Sequence, residues 1–200
     1  VDSSGFIYSG SADNTVKKID PDGNEVTSGG WPFTGHTDDV HDVVVDSDGN
    51  VYSGSYDNTV RKINPDGYEI WSFTAHNVSG RSIRTVAVDS NGYVYTSGYE
   101  NTIWKIDPDG NEVTSGNWPY DQHSSSVFSI VVDSNGNNIY TGSKDATVRK
   151  IDSSGYEVWT FTGHSSYIYD VDIDSDNNIY SVSNDQTVKK IDSSGNLVWT

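Results

Sequence analysis

The sequence predicts an all-β fold, a β-propeller of about five four-stranded blades, on three observations. First, a Val/Ile-Asp-Ser triplet recurs with its aspartate at Asp2, Asp46, Asp89, Asp133 and Asp174, at spacings of 44, 43, 44 and 41 residues. Second, runs inside each copy alternate with a period of two, as at Val43 and Val45, Val51–Ser53, Val60–Ile63 and Glu69–Trp71. Successive side chains of a strand point to opposite faces, so this period marks half-buried strands. Third, no segment keeps helical periodicity for eleven residues, and essentially no helix is expected. Four-stranded units of about 40–45 residues match the blade period of a propeller, whose blades pack face to face around a channel.

Within a copy the elements follow in a constant order. An innermost strand (His41–Val45, Arg84–Val88, Phe128–Val132, Tyr169–Ile173) runs into the Asp-Ser turn. A second strand carries Tyr and small residues, as in Tyr52-Ser53-Gly54-Ser55 and Tyr140-Thr141-Gly142-Ser143. An acid with Thr two positions on then marks a turn, at Asp13, Asp57, Glu100, Asp145 and Asp185. The third strand ends in Lys-Ile-Asp/Asn, and turns such as Asn64-Pro65-Asp66-Gly67 lead to an outermost strand. Gly and Asn accept positive φ and Pro presets the first turn position, so these are hairpin signals. Trp31, Trp71, Trp118 and Trp159 each precede a histidine by five residues: His36, His76, His123 and His164. One repeat domain over 1–200 results, with blades at about 1–36, 37–76, 77–123, 124–164 and 165–200. The first copy begins at Val1-Asp2 without an innermost strand, giving nineteen strands where five full blades need twenty. The expectation is an open first blade, filled by another chain or by further blades of a larger or oligomeric propeller.

Composition narrows the function classes. With 29 acidic and 12 basic residues the formal charge is −17, a field that repels phosphates and anionic membrane surfaces, so no nucleic-acid partner is expected. No apolar run reaches the length of a spanning helix, and no membrane insertion is expected. Cysteine is absent, which excludes disulfides, thiolate metal sites and a cysteine nucleophile. Val1 is neither an initiator Met nor the start of a signal peptide, so a processed or truncated chain is expected.

Gly35-His36 and Gly163-His164, with Ala75-His76 and Gln122-His123 as variants, together with Ser-Gly-Ser-x-Asp-x-Thr-Val across the second and third strands, resemble the WD-repeat family over nearly the whole chain. The Gly-x-Glu-x-Trp element of the outer strand is also similar to the blade-docking tryptophan of quinoprotein-type propellers. One departure is that the namesake Trp-Asp becomes Ile-Asp or Ile-Asn, as at Ile19-Asp20, Ile63-Asn64 and Ile151-Asp152. The resemblance implies that each Gly-His histidine meets the turn acid of its blade, pairing His36 with Asp57, His76 with Glu100, His123 with Asp145 and His164 with Asp185. A His and a carboxylate also suit a catalytic dyad or a metal site. Recurrence once per blade favours a structural role, since a catalytic group is needed only once. No catalytic, cofactor-binding or metal-binding residue is assigned.

Asp-rich turns at 20–24, 46–50 and 107–111 alternate carboxylates with Gly in the manner of calcium loops, but lack the bidentate Glu that closes such loops. Turn chemistry is the favoured reading, weak cation binding the other. Most of the thirteen Tyr and six Trp hold fixed repeat positions and read as packing. Positions where copies disagree are better binding candidates, because a repeat protein carries specificity on variable loops over a constant frame. The residue before the turn acid is Ala12, Tyr56, Tyr99, Lys144 or Asn184, and the loop after the histidine brings Asp38 and Asp39, then Asn77, Arg81 and Arg84, then serines, then Tyr167. The candidate partner-binding residues are therefore Asp38, Asp39, Tyr56, Asn77, Arg81, Arg84, Tyr99, Lys144 and Tyr167, expected on one rim. The four-residue inserts Thr27–Gly30 and Thr114–Asn117 precede Trp31-Pro32 and Trp118-Pro119 and read as protection of an outer edge, with partner docking the alternative. His41 and Trp104 read as packing or solvent-face residues.

These features suit a non-enzymatic platform binding a protein or glycan through propeller-face loops, with no cofactor. The alternative is a structural subunit of an extracellular or virion-surface assembly, with self-association through the open first blade. A propeller hydrolase, lyase or quinoprotein ranks last, since no unique cluster of His, Arg or acid breaks the repeat. An extracellular or surface location is expected, the cytoplasm being the alternative.

Overall fold

The computed structural model describes residues 1–74 and 82–200. Among them there is no helix, and seventeen strands form five antiparallel sheets, the strand order of consecutive propeller blades. The strands are β1 (Ile7–Gly10) and β2 (Val16–Ile19); β3 (Val40–Val45), β4 (Val51–Ser55), β5 (Thr59–Ile63) and β6 (Glu69–Thr74); β7 (Ile83–Val88), β8 (Val94–Gly98) and β9 (Trp104–Ile106); β10 (Val127–Val132), β11 (Asn138–Ser143), β12 (Val148–Asp152) and β13 (Glu157–Phe161); and β14 (Ile168–Ile173), β15 (Ile179–Ser183), β16 (Val188–Ile191) and β17 (Leu197–Trp199). Every sheet keeps sequence order, so each is a simple meander. The Asp turns explain why. Asp46 Oδ1 accepts the N–H groups of Asp48 and Asn50 at 3.0 and 2.9 Å, folding the chain back between β3 and β4.

The chain forms two compact units, residues 1–96 with 106–111 and residues 97–105 with 112–200. In the first, β1 pairs with β2 and β3 to β6 form a full sheet. Val16, Trp31, Phe33, Val40, Val51 and Ile63 make one buried cluster there, and Tyr52, Val60, Ile83, Val86, Val94 and Ile106 a second. In the second unit the sheets β10–β13 and β14–β17 enclose Tyr140, Val148, Phe161, Ile168, Val171, Ile179 and Ile191. Each cluster draws residues from two neighbouring copies. A lone blade leaves one face uncovered, and the next copy covers it.

Four tryptophans repeat one contact between copies. Trp31 Nε1 donates to the Pro65 carbonyl, Trp71 Nε1 to Pro108, Trp118 Nε1 to Ser153 and Trp159 Nε1 to Ser193, at 3.0 to 3.2 Å. Where the Trp71 and Trp159 rings land, the turn residue is a left-handed glycine, Gly110 and Gly195. Gly110 has φ +91, and a Cβ there would stand 2.8 Å from Trp71 Cγ.

The strand count differs from the nineteen expected. The outer strands of the first and third copies are reduced to isolated bridges, Val16 to Phe33, Ile19 to Glu25 and Ile103 to Tyr120. The inserts are the cause, and they reach the neighbouring copy. Gly30 N–H donates to Asp66 O and Asn117 N–H to Ser154 O, both at 2.8 Å, while Asn117 Nδ2 reaches Gly155 O at 3.0 Å. Their donors thus clasp the turn of the following copy and are not available to a ladder. Pro32 and Pro119 follow directly and have no N–H to continue one.

Candidate functional site

Three of the repeated histidines sit in the same polar chain. His36 Nδ1 lies 2.9 Å from Asp57 Oδ2 and its Nε2 2.7 Å from Ser53 Oγ. His123 meets Asp145 and Thr141 at 2.8 Å each, and His164 meets Asp185 and Ser181 at 2.8 Å each. One neutral tautomer satisfies every atom: Nδ1–H donates to the carboxylate and Nε2 accepts the hydroxyl proton. The acids also accept backbone N–H groups from Thr37, Ser124 and Ser165 at 3.0 to 3.1 Å, tying each loop to the turn of its own blade. Burial works to raise the Asp57, Asp145 and Asp185 carboxyls, but the histidine, threonine and backbone donors outweigh it and hold all three well below the usual carboxylate range. Burial pushes the His123 imidazole down, against the opposing pull of Asp145.

Although this is the pattern of a hydrolase triad, Ser53, Thr141 and Ser181 are wholly buried within their sheets. The chains act as struts between loop and sheet. His76 lies outside the described residues, as do Asn77 and Arg81. Its expected partner Glu100 is buried and accepts the Trp104 indole N–H at 2.8 Å, a polar role for Trp104 that sequence reasoning did not foresee.

The variable residues gather at the same ends of their sheets as the histidine loops. In the first unit Tyr56 N–H donates to Asp39 O at 2.9 Å and Ser55 Oγ to Asp38 O at 2.9 Å. His41 stacks on Tyr56, ring centres 3.7 Å apart, and burial together with the Arg84 charge pushes its imidazole below the ordinary range. In the second unit Lys144 N–H donates to Ser126 O and Asn184 N–H to Tyr167 O, both at 2.8 Å. The Lys144 ammonium lies 4.9 Å from the centre of the Tyr167 ring. Tyr99 meets Phe128 edge to face at 6.5 Å, and Phe128 runs parallel to Tyr169 at 6.2 Å. Tyr99, Tyr167 and Tyr169 are each more than two-fifths exposed.

His41, Phe128 and Tyr169 share a backbone cause. The pairing register shifts between Val40 and Asp42, between Val127 and Ser129, and between Ile168 and Asp170, so each of the three is the extra residue of a β-bulge, a device that re-aims a side chain. Sequence reasoning assigned no binding role to these residues. The signal was nevertheless present, because the second residue of the innermost strand differs in every copy: His41, Arg84, Phe128, Tyr169.

The Asp-rich turns lie at the other end of the sheets. A cavity of about 390 Å³ there is lined by Asp46, Asp48, Tyr52, Lys62, Asp89 and Pro108. The Asp46 carboxylate already accepts from Asp48 N, Asn50 N, Asn50 Nδ2 and the Tyr52 hydroxyl. Among the described residues no group of three or more His, Asp or Glu is arranged to hold a metal ion.

Comparison with curated proteins returned no match. The family model described as WD domain, G-beta repeat matches residues 31–64, 117–152 and 155–192, together more than half of the chain. With the histidine–acid struts repeated in sheet after sheet, the chain belongs to the WD-repeat family.

Proposed function

We propose that this chain is a non-enzymatic interaction platform that holds a protein on the sheet ends carrying the bulges and the histidine loops. The observation that carries the reading is the coincidence of variability with exposure. Tyr99, Lys144, Tyr167 and the bulge residue Tyr169 are exposed, with Tyr56 and Phe128 half-buried beside them, on a backbone fixed by repeated struts. Aromatic side chains on a rigid frame offer large contact area at low entropic cost. A glycan on the same aromatic face is the alternative ligand, and an extracellular or surface setting is the location we favour.

The test is crosslinking and mass spectrometry in an extract of the native source. The triple variant Tyr99→Ser, Tyr167→Ser, Tyr169→Ser is compared with Tyr68→Ser, Tyr156→Ser, which alters two exposed tyrosines of the outer turns. Loss of a protein partner only in the triple variant supports the reading. Retention of the same partners by both overturns it.

A second reading, a structural subunit that assembles with its own copies, draws on exposed apolar strands. Ile7 on β1 and Leu197, Val198 and Trp199 on β17 are exposed, and such edges invite another strand or sheet. Sedimentation over a range of concentrations tests it. A monomer throughout counts against assembly.

A further inference from the structure

We infer that the first and last copies of the repeat carry the two halves of one interface, so that Trp199 of one chain docks on the Pro21–Gly23 turn of a second copy of the same chain. The inference rests on the self-assembly reading and names its interface. Within the chain, successive copies meet through a face that looks forward and a face that looks back. Val16 packs with Val51 and Ile63 of the next copy, Val60 with Val94 and Ile106, and Val148 with Ile179 and Ile191, all wholly buried. The last copy and the first leave one half of each kind uncovered. Val188, the forward-looking counterpart of Val16, Val60 and Val148, is 44% exposed, and Ile7, the backward-looking counterpart of Val51, Val94 and Ile179, is 45% exposed.

The polar contact is left open in the same way. Trp31, Trp71, Trp118 and Trp159 each donate to a carbonyl of the following turn. In three of these contacts a lysine joins the indole on the same oxygen: Lys18 on Pro65 O at 3.0 Å, Lys105 on Ser153 O at 2.7 Å and Lys150 on Ser193 O at 3.5 Å. Trp199 is the fifth tryptophan of this series. It is exposed, and among the described residues its indole N–H meets no acceptor. Lys190, the matching lysine, turns back to Asp174 Oδ2 at 3.4 Å. In the first copy the counterpart turn is exposed at Pro21, Asp22 and Gly23, and among the described residues no donor reaches the Pro21 carbonyl. A Cβ on Gly23 would meet nothing within 4 Å, whereas Gly110 and Gly195 lie under Trp71 and Trp159. One copy thus offers a donor without an acceptor, and the other offers the acceptor and its glycine seat.

Val182 selects the occupant. Its position is held by a small residue in the other copies, Gly10, Gly54, Ser97 and Gly142, because the innermost strand of the following copy packs there. A Cβ on Gly10 would stand 2.7 Å from Val40 Cγ1, and one on Gly142 2.8 Å from Ile168 Cγ2. Val182 is exposed and takes up the room of such a strand. A following blade complete with an innermost strand collides with it, but the sheet β1–β2 has no strand inside β1 among the described residues and leaves the valine space. A second copy of this chain meets all of these requirements at once. The contact joins unlike surfaces, so it propagates into a ring or a filament and does not stop at a two-fold dimer.

The experiment is sedimentation velocity of the whole chain, from dilute to millimolar protein, in 1 M NaCl. That salt shortens the Debye length to about 3 Å and screens the repulsion between copies of charge −17. The wild-type chain is expected to assemble as concentration rises. Trp199→Ala is expected to weaken assembly at least about tenfold, as loss of an anchor does. Gly23→Asn is expected to do the same, filling the seat with a residue that tolerates positive φ, as Asn14, Asn58 and Asn177 do here. Tyr156→Ala, at an exposed tyrosine of another turn, leaves assembly unchanged. An equimolar mixture of Trp199→Ala and Gly23→Asn has one intact half from each, so it is expected to form heterodimers and to stop there. Cooperative melts of the dilute proteins, in which the copies are apart, show that the variants fold. A wild-type chain that stays monomeric overturns the inference together with the self-assembly reading. Assembly that survives both variants, or a mixture that forms no heterodimer or grows beyond it, overturns this interface alone and leaves assembly by another surface standing.

Discussion

The Trp71 indole N–H donates to the carbonyl of Pro108 at 3.0 Å, and its ring lies against Gly110. The indole bond recurs for Trp31, Trp118 and Trp159, each on the turn of the following copy, and the ring-on-glycine contact recurs for Trp159 on Gly195. The adhesion between successive sheets is thus built around one bulky donor and one glycine. Gly23, in the corresponding turn of the first copy, also has positive φ (+86), but a Cβ there would meet nothing within 4 Å.

Comparing those two glycines isolates the indole contact. Gly23→Ala carries only the cost of a left-handed alanine, about 1–2 kcal/mol. Gly110→Ala adds overlap with the Trp71 ring, a further 1–3 kcal/mol or so. Urea melts of the two variants check this. Equal losses would mean that the tryptophan seat contributes nothing beyond backbone conformation.

His123→Ala, which leaves a buried carboxylate without its main partner, is expected to destabilise by about 3–5 kcal/mol, and Asp145→Ala, which leaves a neutral imidazole N–H unanswered, by about 1–3 kcal/mol. The double variant is expected to lose much less than both losses combined. Thermal melts of the three proteins decide it, and additivity would dissolve the pairing as an energetic unit.

Acid should weaken the fold in two stages. The His123 imidazole is held below its ordinary range, so its contribution is present above about pH 6.5 and is lost as pH falls, because the unfolded chain takes up the proton first. The Asp57, Asp145 and Asp185 carboxyls are likewise depressed. Their contribution is present above the unfolded value near 4 and disappears progressively as pH drops toward the folded values. Denaturant midpoints at pH 7, 5 and 3 test both stages. Asp145→Asn should lower stability at pH 7 and flatten the decline between pH 5 and 3. An unchanged slope there would sink the assignment.

Salt should stabilise. The net charge of −17 opposes compaction, and the Debye length shrinks from about 8 Å at 0.15 M to about 3 Å at 1 M. The melting temperature is expected to rise from low salt to 1 M NaCl. A flat or falling value would show that self-repulsion does not govern the stability of this fold.

The repeat itself dictated much of this molecule. The Asp-Ser turns, the period-two runs between them and the Trp-to-His spacing are local features, legible because turn geometry and strand alternation depend on neighbours in sequence. They suffice to place the strands of the second, fourth and fifth copies. Whether Thr27–Gly30 and Thr114–Asn117 extend a strand or clasp a neighbour was not legible. That choice depends on the carbonyls of Asp66 and Ser154, which only tertiary packing brings within reach. The same holds for the binding surface. The variable positions could be read off the copies, but the rings of Tyr99, Phe128 and Tyr169 form one track because bulges at Phe128 and Tyr169 re-aim them. A bulge is a shift of register between two strands, and register is settled by the partner strand rather than by the residues of one strand alone.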